Sequence, residues 1–148
     1  MIKKSAHGFT IFELLVVIAL IGLLSLPLLT GGGFIGGAAR IRANSDQLYS
    51  DMVLARSYAR DARDRLNWGV RFANQNSYEI ISGNDESLTV FATRSLDGSV
   101  SFEDEFIVWF TSGIGETNED HELFLVDRDG KRIRIVVYKS GLIEKFEI

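Results

Sequence analysis

The chain predicts an α+β protein: a long N-terminal hydrophobic helix, then an amphipathic helix packed on an antiparallel β-sheet. Three observations point there. The stretch from Leu14 to Ala39 contains no charged residue. From Ala38 to Asp64 apolar residues recur at helical spacing. From Leu66 onward the period changes to two, and turn residues punctuate it. With 148 residues there is room for one modest domain plus an appendage. The net charge is −4 with no long block of one sign, so a large basic nucleic-acid footprint is not indicated. Cysteine is absent, which excludes disulfides, thiolate metal sites and cysteine nucleophiles.

Residues 1–8 are short and basic, with Lys3 and Lys4, and Phe9-Thr10-Ile11-Phe12-Glu13 follows. The uncharged run Leu14 to Leu29 comes next, and a bilayer-crossing helix needs about 20 apolar residues. A cleaved secretory signal has an apolar run of about 7–15 residues and a small-residue site after it. This run is longer and has no such site at a polar boundary. A plain signal anchor fits the length but leaves Glu13 unexplained. A carboxylate deep in a spanning helix costs roughly 2.5–3.5 kcal/mol on insertion scales, so it asks for a partner. Charge alone does not orient the span, because Lys3 and Lys4 precede it and Arg40 and Arg42 follow.

Lys3, Lys4, Gly8, Phe9, Thr10, Glu13 and the run Leu14-Leu15-Val16-Val17-Ile18-Ala19 together resemble the class III signal of type IV prepilins. The resemblance implies a pilin-like fold and a cytoplasmic N-terminus. It also implies that a prepilin peptidase cuts between Gly8 and Phe9 and methylates Phe9, which makes Glu13 the fifth mature residue. The hydrophobic helix survives such a cut. The new amine, with a pKa of about 8, is cationic and can be neutralised by Glu13 within a chain or between neighbours. Two paired charges are far less costly in an apolar setting than one alone.

Pro27 should kink or loosen the helix. Five of the 14 glycines, Gly31, Gly32, Gly33, Gly36 and Gly37, then make continuous helix expensive, at nearly 1 kcal/mol each against alanine. Two readings stand side by side: a hinge at 31–37, or close helix packing in a membrane, where small residues are common. The expected organisation is a leader at 1–8, a transmembrane and assembly helix at 9–30, the hinge at 31–37, and a soluble helix-plus-sheet domain at 38–148.

In the amphipathic helix, Ile41, Leu48, Met52, Ala55, Ala59 and Ala62 form the apolar stripe, and Arg56, Arg60, Asp61, Arg63 and Asp64 fill a solvated face. The small alanines imply close approach of a flat sheet. Strands are expected at Leu66 to Phe72, Tyr78 to Ile81, Leu88 to Ala92 and Val100 to Phe102. Four more follow at Phe106 to Phe110, Leu123 to Val126, Ile133 to Tyr138 and Leu142 to Phe146. Turns are expected at Asn74-Gln75-Asn76, Gly83-Asn84-Asp85, Asp97-Gly98, Asp129-Gly130 and Ser140-Gly141, with Asp-Gly as the hairpin signal. The reading is one antiparallel sheet of seven or eight strands on the helix.

Leu54-Ala55-Arg56-Ser57, Phe110 with Gly113 in mid-sheet, and Ile133 to Val137 with Gly141 and Leu142 are similar to the H-type minor pseudopilins of type II secretion and the FimT-type minor pilins. That resemblance implies a filament subunit whose partners are prepilin peptidase, other pilin subunits, an inner-membrane assembly platform with its ATPase, and lipid before assembly. Whether the system is type II secretion or a type IV pilus stays open.

Catalytic and cofactor chemistry is not expected. His7 lies in the leader. His121, among Glu119, Asp120 and Glu122, reads as an acidic surface loop before a strand and not as a metal ligand. No EF-hand spacing, P-loop pattern or Ser/His/Asp arrangement is present. Trp68 and Trp109 sit on apolar-alternating runs and read as core. Arg128, Lys131, Arg132, Arg134 and Lys139 concentrate positive charge near the C-terminus. Some FimT-like minor pilins take up DNA through a basic C-terminal region, and that resemblance makes Arg132, Arg134 and Lys139 the possible contacts. An ordinary solvent face is the favoured reading, because Asp127, Asp129, Glu144 and Glu147 lie close in sequence. The expectation is a non-enzymatic filament subunit. A membrane-anchored binding module and a DNA-binding competence pilin stand as alternatives.

Overall fold

A computed structural model describes residues 11–30, 34–84 and 87–148. The chain divides into two compact units, Met1–Gly36 and Gly37–Ile148. In the first, α1 spans Ile11–Thr30 and runs on through Pro27. Its described side chains, residues 11–21, are all exposed.

The helix α2 spans Phe34–Arg60. Of the predicted hinge at 31–37, residues 34–37 are thus helical, and 31–33 lie outside the described residues. The stripe Ile41, Leu48, Met52, Ala55 and Ala59 is buried as expected. Ala62 is a correction. The helix has ended by then, and Ala62 is exposed with φ 51°. A short 3-10 turn at Arg63–Arg65 leads into the sheet region.

All eight expected strands form. They are β1 Asn67–Asn74, β2 Ser77–Asn84, β3 Ser87–Ser95, β4 Val100–Phe102, β5 Ile107–Phe110, β6 His121–Asp127, β7 Arg132–Val137 and β8 Ile143–Glu147. They do not make one sheet. Two four-stranded antiparallel sheets form instead, ordered β3-β2-β1-β5 and β4-β6-β7-β8. The physical reason lies at Asp97-Gly98. The expected hairpin there is absent, and the chain crosses from the first sheet to the second. Asp97 accepts the backbone N–H and the hydroxyl of Ser99 through Oδ1, at 3.0 and 2.6 Å, and its backbone N–H binds Asn44 Oδ1 on α2 at 3.0 Å. The Ser99 bonds hold the Asp97 carboxyl below its usual range. The Asp129-Gly130 and Ser140-Gly141 turns do join paired neighbours, β6 to β7 and β7 to β8.

Both sheets and α2 share one core. Trp68, Val70, Tyr78, Ile80, Val108 and Phe110 come from the first sheet, and Phe102, Leu123, Leu125, Ile133, Ile135 and Val137 from the second. One polar anchor sits inside it. Asp51 of α2 is 4% exposed and accepts the Tyr78 hydroxyl at 2.8 Å, Gln47 Nε2 at 3.2 Å and Arg94 Nε at 3.3 Å. Buried acceptors need such partners. Burial first, and the bond to Asp51 second, push the Tyr78 hydroxyl far above the ordinary tyrosine range.

Strand alternation decides where the two tryptophans go. Trp68 points into the core, edge-on to Tyr58 at 4.8 Å and Phe91 at 5.3 Å. Trp109 does not, which corrects the reading from sequence. Its neighbours Val108 and Phe110 are fully buried, so Trp109 falls on the opposite face and is only half-buried.

Candidate functional site

Two regions carry the residues singled out in the sequence. At the N-terminus, α1 starts at Ile11 and places Glu13 in its first turn, where a carboxylate complements the helix dipole. Twenty residues at 1.5 Å each make α1 about 30 Å long. Ile11 is 81% exposed and Phe12 75%, and the apolar side chains through Ile21 are exposed on every side. A helix apolar all round belongs in a protein core or a membrane, not in water. Among the described residues no helix is long and apolar enough to cross a membrane; the described side chains of α1 stop at Ile21. Gly8 and Phe9 lie outside the described residues.

The second region is the basic strip of β7. Burial alternates as Arg132 out, Ile133 in, Arg134 half-out and Ile135 in, so both arginines share one face. Each meets a carboxylate. Arg132 Nη2 is 2.7 Å from Glu103 and Arg134 Nη1 is 3.7 Å from Glu122, and the Arg134 guanidinium lies over the Phe146 ring at 5.0 Å. The acids that meet these cations are not the ones close in sequence. Glu147 takes a two-pronged bond from Arg42 of α2 at 2.7 and 2.8 Å, which holds the Glu147 carboxyl below its usual range. Glu144 accepts the Tyr138 hydroxyl at 2.9 Å, and Asp127 Oδ1 accepts the backbone N–H groups of Asp129 and Lys131. Lys139 is exposed at the end of the strip, its backbone N–H given to Asp120 at 2.6 Å. A track of phosphates needs several cations on one line. Here the arginines alternate with carboxylates.

His121 is not in a loop. It opens β6 half-buried, with Nε2 enclosed and without a hydrogen-bond partner. Among the described residues no group of three or more His, Asp or Glu is placed to hold a metal.

One junction went unread in the sequence, although two of its residues were quoted there. Arg56, from the Leu54-Ala55-Arg56-Ser57 segment, sends Nε to Gly115 O and Nη2 to Ser140 O, each at 3.3 Å. It ties α2 to the loop after β5 and to the β7–β8 turn. Gly113, expected in mid-sheet, belongs to that first loop with φ 85°.

The prokaryotic N-terminal methylation motif matches residues 3–29. No curated protein and no solved structure matches the chain. The motif indicates prepilin processing, anchoring at the N-terminus and assembly with other pilins. It spans Lys3, Lys4, Gly8, Phe9 and Glu13 together with nearly all of α1, and it supports a type IV pilin-like protein.

Proposed function

We propose that the chain is a minor pilin or pseudopilin, a structural and non-catalytic subunit of a short filament of the type II secretion or type IV pilus kind. It enters the inner membrane through α1 with its N-terminus cytoplasmic and residues 37–148 extracytoplasmic. Prepilin peptidase cuts after Gly8 and methylates Phe9. An assembly platform and its ATPase then draw the subunit out of the lipid into the filament.

The observation that carries this reading is the methylation motif at residues 3–29, which coincides with a helix whose described side chains are exposed and, Glu13 apart, apolar. Such a helix needs a cover, and lipid before assembly and neighbouring helices after it supply one in turn. The two-unit division supports the same reading, since Gly37–Ile148 has a core of its own. The DNA-binding alternative finds less support, because Arg132 and Arg134 face Glu103 and Glu122.

The test is the mass of the N-terminus after co-expression with the cognate peptidase. The expected species starts at methylated Phe9, and Gly8→Val, which puts a branched side chain at the cut, leaves an uncut precursor. A wild-type chain that keeps Met1 would overturn the proposal and favour a signal-anchored binding module.

A further inference from the structure

Three aromatic rings from three elements meet where α2 ends. Tyr58 comes from the last turn of the helix, Trp68 from β1 and Phe91 from β3. Their centroids lie 4.8, 5.3 and 6.3 Å apart and their planes meet at 64°, 73° and 78°, so the rings wall a corner and do not stack. Phe91 arrives through a bulge. Val90 pairs with Ile81 and Ala92 with Ile80, which leaves Phe91 with no residue opposite. An extra residue of this kind re-aims its side chain. A guanidinium fills the corner. Arg63 Cζ lies 4.3 Å from the Tyr58 centroid, 5.3 Å from that of Trp68 and 5.7 Å from that of Phe91. All three are within the roughly 6 Å over which a ring face attracts a cation.

The backbone that delivers Arg63 is unfavourable. Ala62, Asp64 and Arg65 take φ values of 51°, 57° and 56°, a left-handed region that a Cβ disfavours. The Arg63 carbonyl accepts the Leu66 N–H at 3.2 Å and the Trp68 indole N–H at 3.3 Å. Among the described residues the Arg63 side chain has one carboxylate within 4 Å, Asp64 at 3.9 Å, and both are exposed. An ion pair of that kind holds little, so the rings hold the guanidinium. The site is not sealed. The Arg63 side chain is 43% exposed and Phe91 50%, so the corner opens to solvent when Arg63 swings out.

The chemistry of the walls selects a ligand class. Three ring faces attract a cation and repel a carboxylate or phosphate. A planar guanidinium lies flat on a ring and is more weakly hydrated than an ammonium, so it loses less on entering. We propose that Tyr58, Trp68 and Phe91 form a guanidinium-binding site, held in the free chain by Arg63 as an internal ligand and taken over by the arginine of a partner polypeptide. An incoming arginine needs no left-handed turn, so the strain released at residues 62–65 favours the exchange. The partner is a neighbouring filament subunit, a point that rests on the proposed function; the site itself does not.

The test uses the full ¹⁵N-labelled chain in a non-ionic maltoside, because a choline headgroup would itself be a cation for the rings. N-acetylarginine amide is the probe. N-acetylcitrulline amide is its neutral isostere, and N-acetyllysine amide supplies an ammonium. The Trp68 indole N–H reports on the site, and Trp109, half-buried on the other face of the sheet, is the internal reference. Arg63→Ala empties the corner. The expected result in this variant is a saturable shift of Trp68 with the arginine probe, on the order of 10 mM, and none of Trp109. The wild type should bind about tenfold more weakly, since the tethered guanidinium competes. Adding Phe91→Leu keeps an apolar side chain at an exposed position, removes one wall and should weaken binding about tenfold. The wild type also decides alone should Arg63→Ala fail to fold. Its Arg63 Nε–H proton should be ring-shifted upfield of the other arginines, and the arginine probe, but not the citrulline one, should return it saturably toward the free position. The proposal is overturned if the arginine probe moves neither Trp68 in the variant nor Arg63 in the wild type, or if the citrulline or lysine probe binds as well. It is also overturned if the wild type binds as tightly as Arg63→Ala, or if the Arg63 proton is unshifted. The mass of the N-terminus is measured separately, so this site and the filament role can fail independently.

Discussion

Glu13 shows how one residue can carry both a cost and a use. It is the only acid between Phe9 and Arg40, and the only charge in the first two turns of α1. Once the chain is cut after Gly8, the Phe9 amine carries the opposite charge a few residues away. In a filament, an incoming subunit can offer its Glu13 to a neighbour's amine, and any other axial position buries charges without partners. Replacing Glu13 by leucine should therefore separate the steps. Insertion should be unharmed or improved, since the helix becomes more apolar. Cleavage should persist, because Gly8 is unchanged. Recovery in the filament fraction should fall well below wild type while the membrane fraction rises. Cell fractionation followed by immunoblotting reads both, and a variant that assembles like wild type would show that the acid has no part in registration.

Arg56 and Gly141 act at the next scale, where elements are fastened to one another. Gly141 takes φ 77° in the β7–β8 turn, a conformation that favours glycine. It is also crowded, since a Cβ there would fall 2.1 Å from Gly115 O and 2.7 Å from Arg56 Nε. Gly141→Ala thus strains the turn and displaces the guanidinium that joins α2 to two loops. The cost should exceed about 2 kcal/mol, read as a lower denaturation midpoint with an unchanged slope. An unaffected midpoint would mean that the junction yields freely. This scale also shows what the sequence could and could not disclose. The eight strands were legible because alternation is local, and Leu123, Leu125, Ile133 and Ile135 face the core as their spacing requires. The division into two sheets was not, because nothing near Asp97-Gly98 says which strand Val100 will join. Trp109 was misread for a related reason. Ile107-Val108-Trp109-Phe110 is apolar throughout, so the run has no polar member to mark its outer face. The N-terminal motif was legible because its residues are consecutive.

The architecture of the whole chain sets the last test. Residues 37–148 form a compact unit in which α2 contributes Ile41, Leu48, Met52, Ala55 and Ala59 to the core shared by both sheets. The helix is therefore an interior wall of that unit and not merely its connection to α1. Two polar links reinforce it: Asp51 receives the Tyr78 hydroxyl, and Arg42 grips Glu147 at the end of β8. A chain starting near Ala38 keeps every one of these groups and loses the exposed apolar helix. It should be soluble, monomeric and cooperative in its melting. A chain starting at Leu66 keeps all eight strands but opens the surface that α2 covers. It exposes Trp68, Tyr78, Leu125 and Ile135 together and leaves the Tyr78 hydroxyl without its carboxylate. An apolar face of that extent drives association, so this shorter chain should aggregate or melt without a sharp transition. Size-exclusion chromatography and thermal melting compare the two directly. Equal solubility and equally sharp melting would show that the sheets hold together without α2, and that the helix packs on a core already complete.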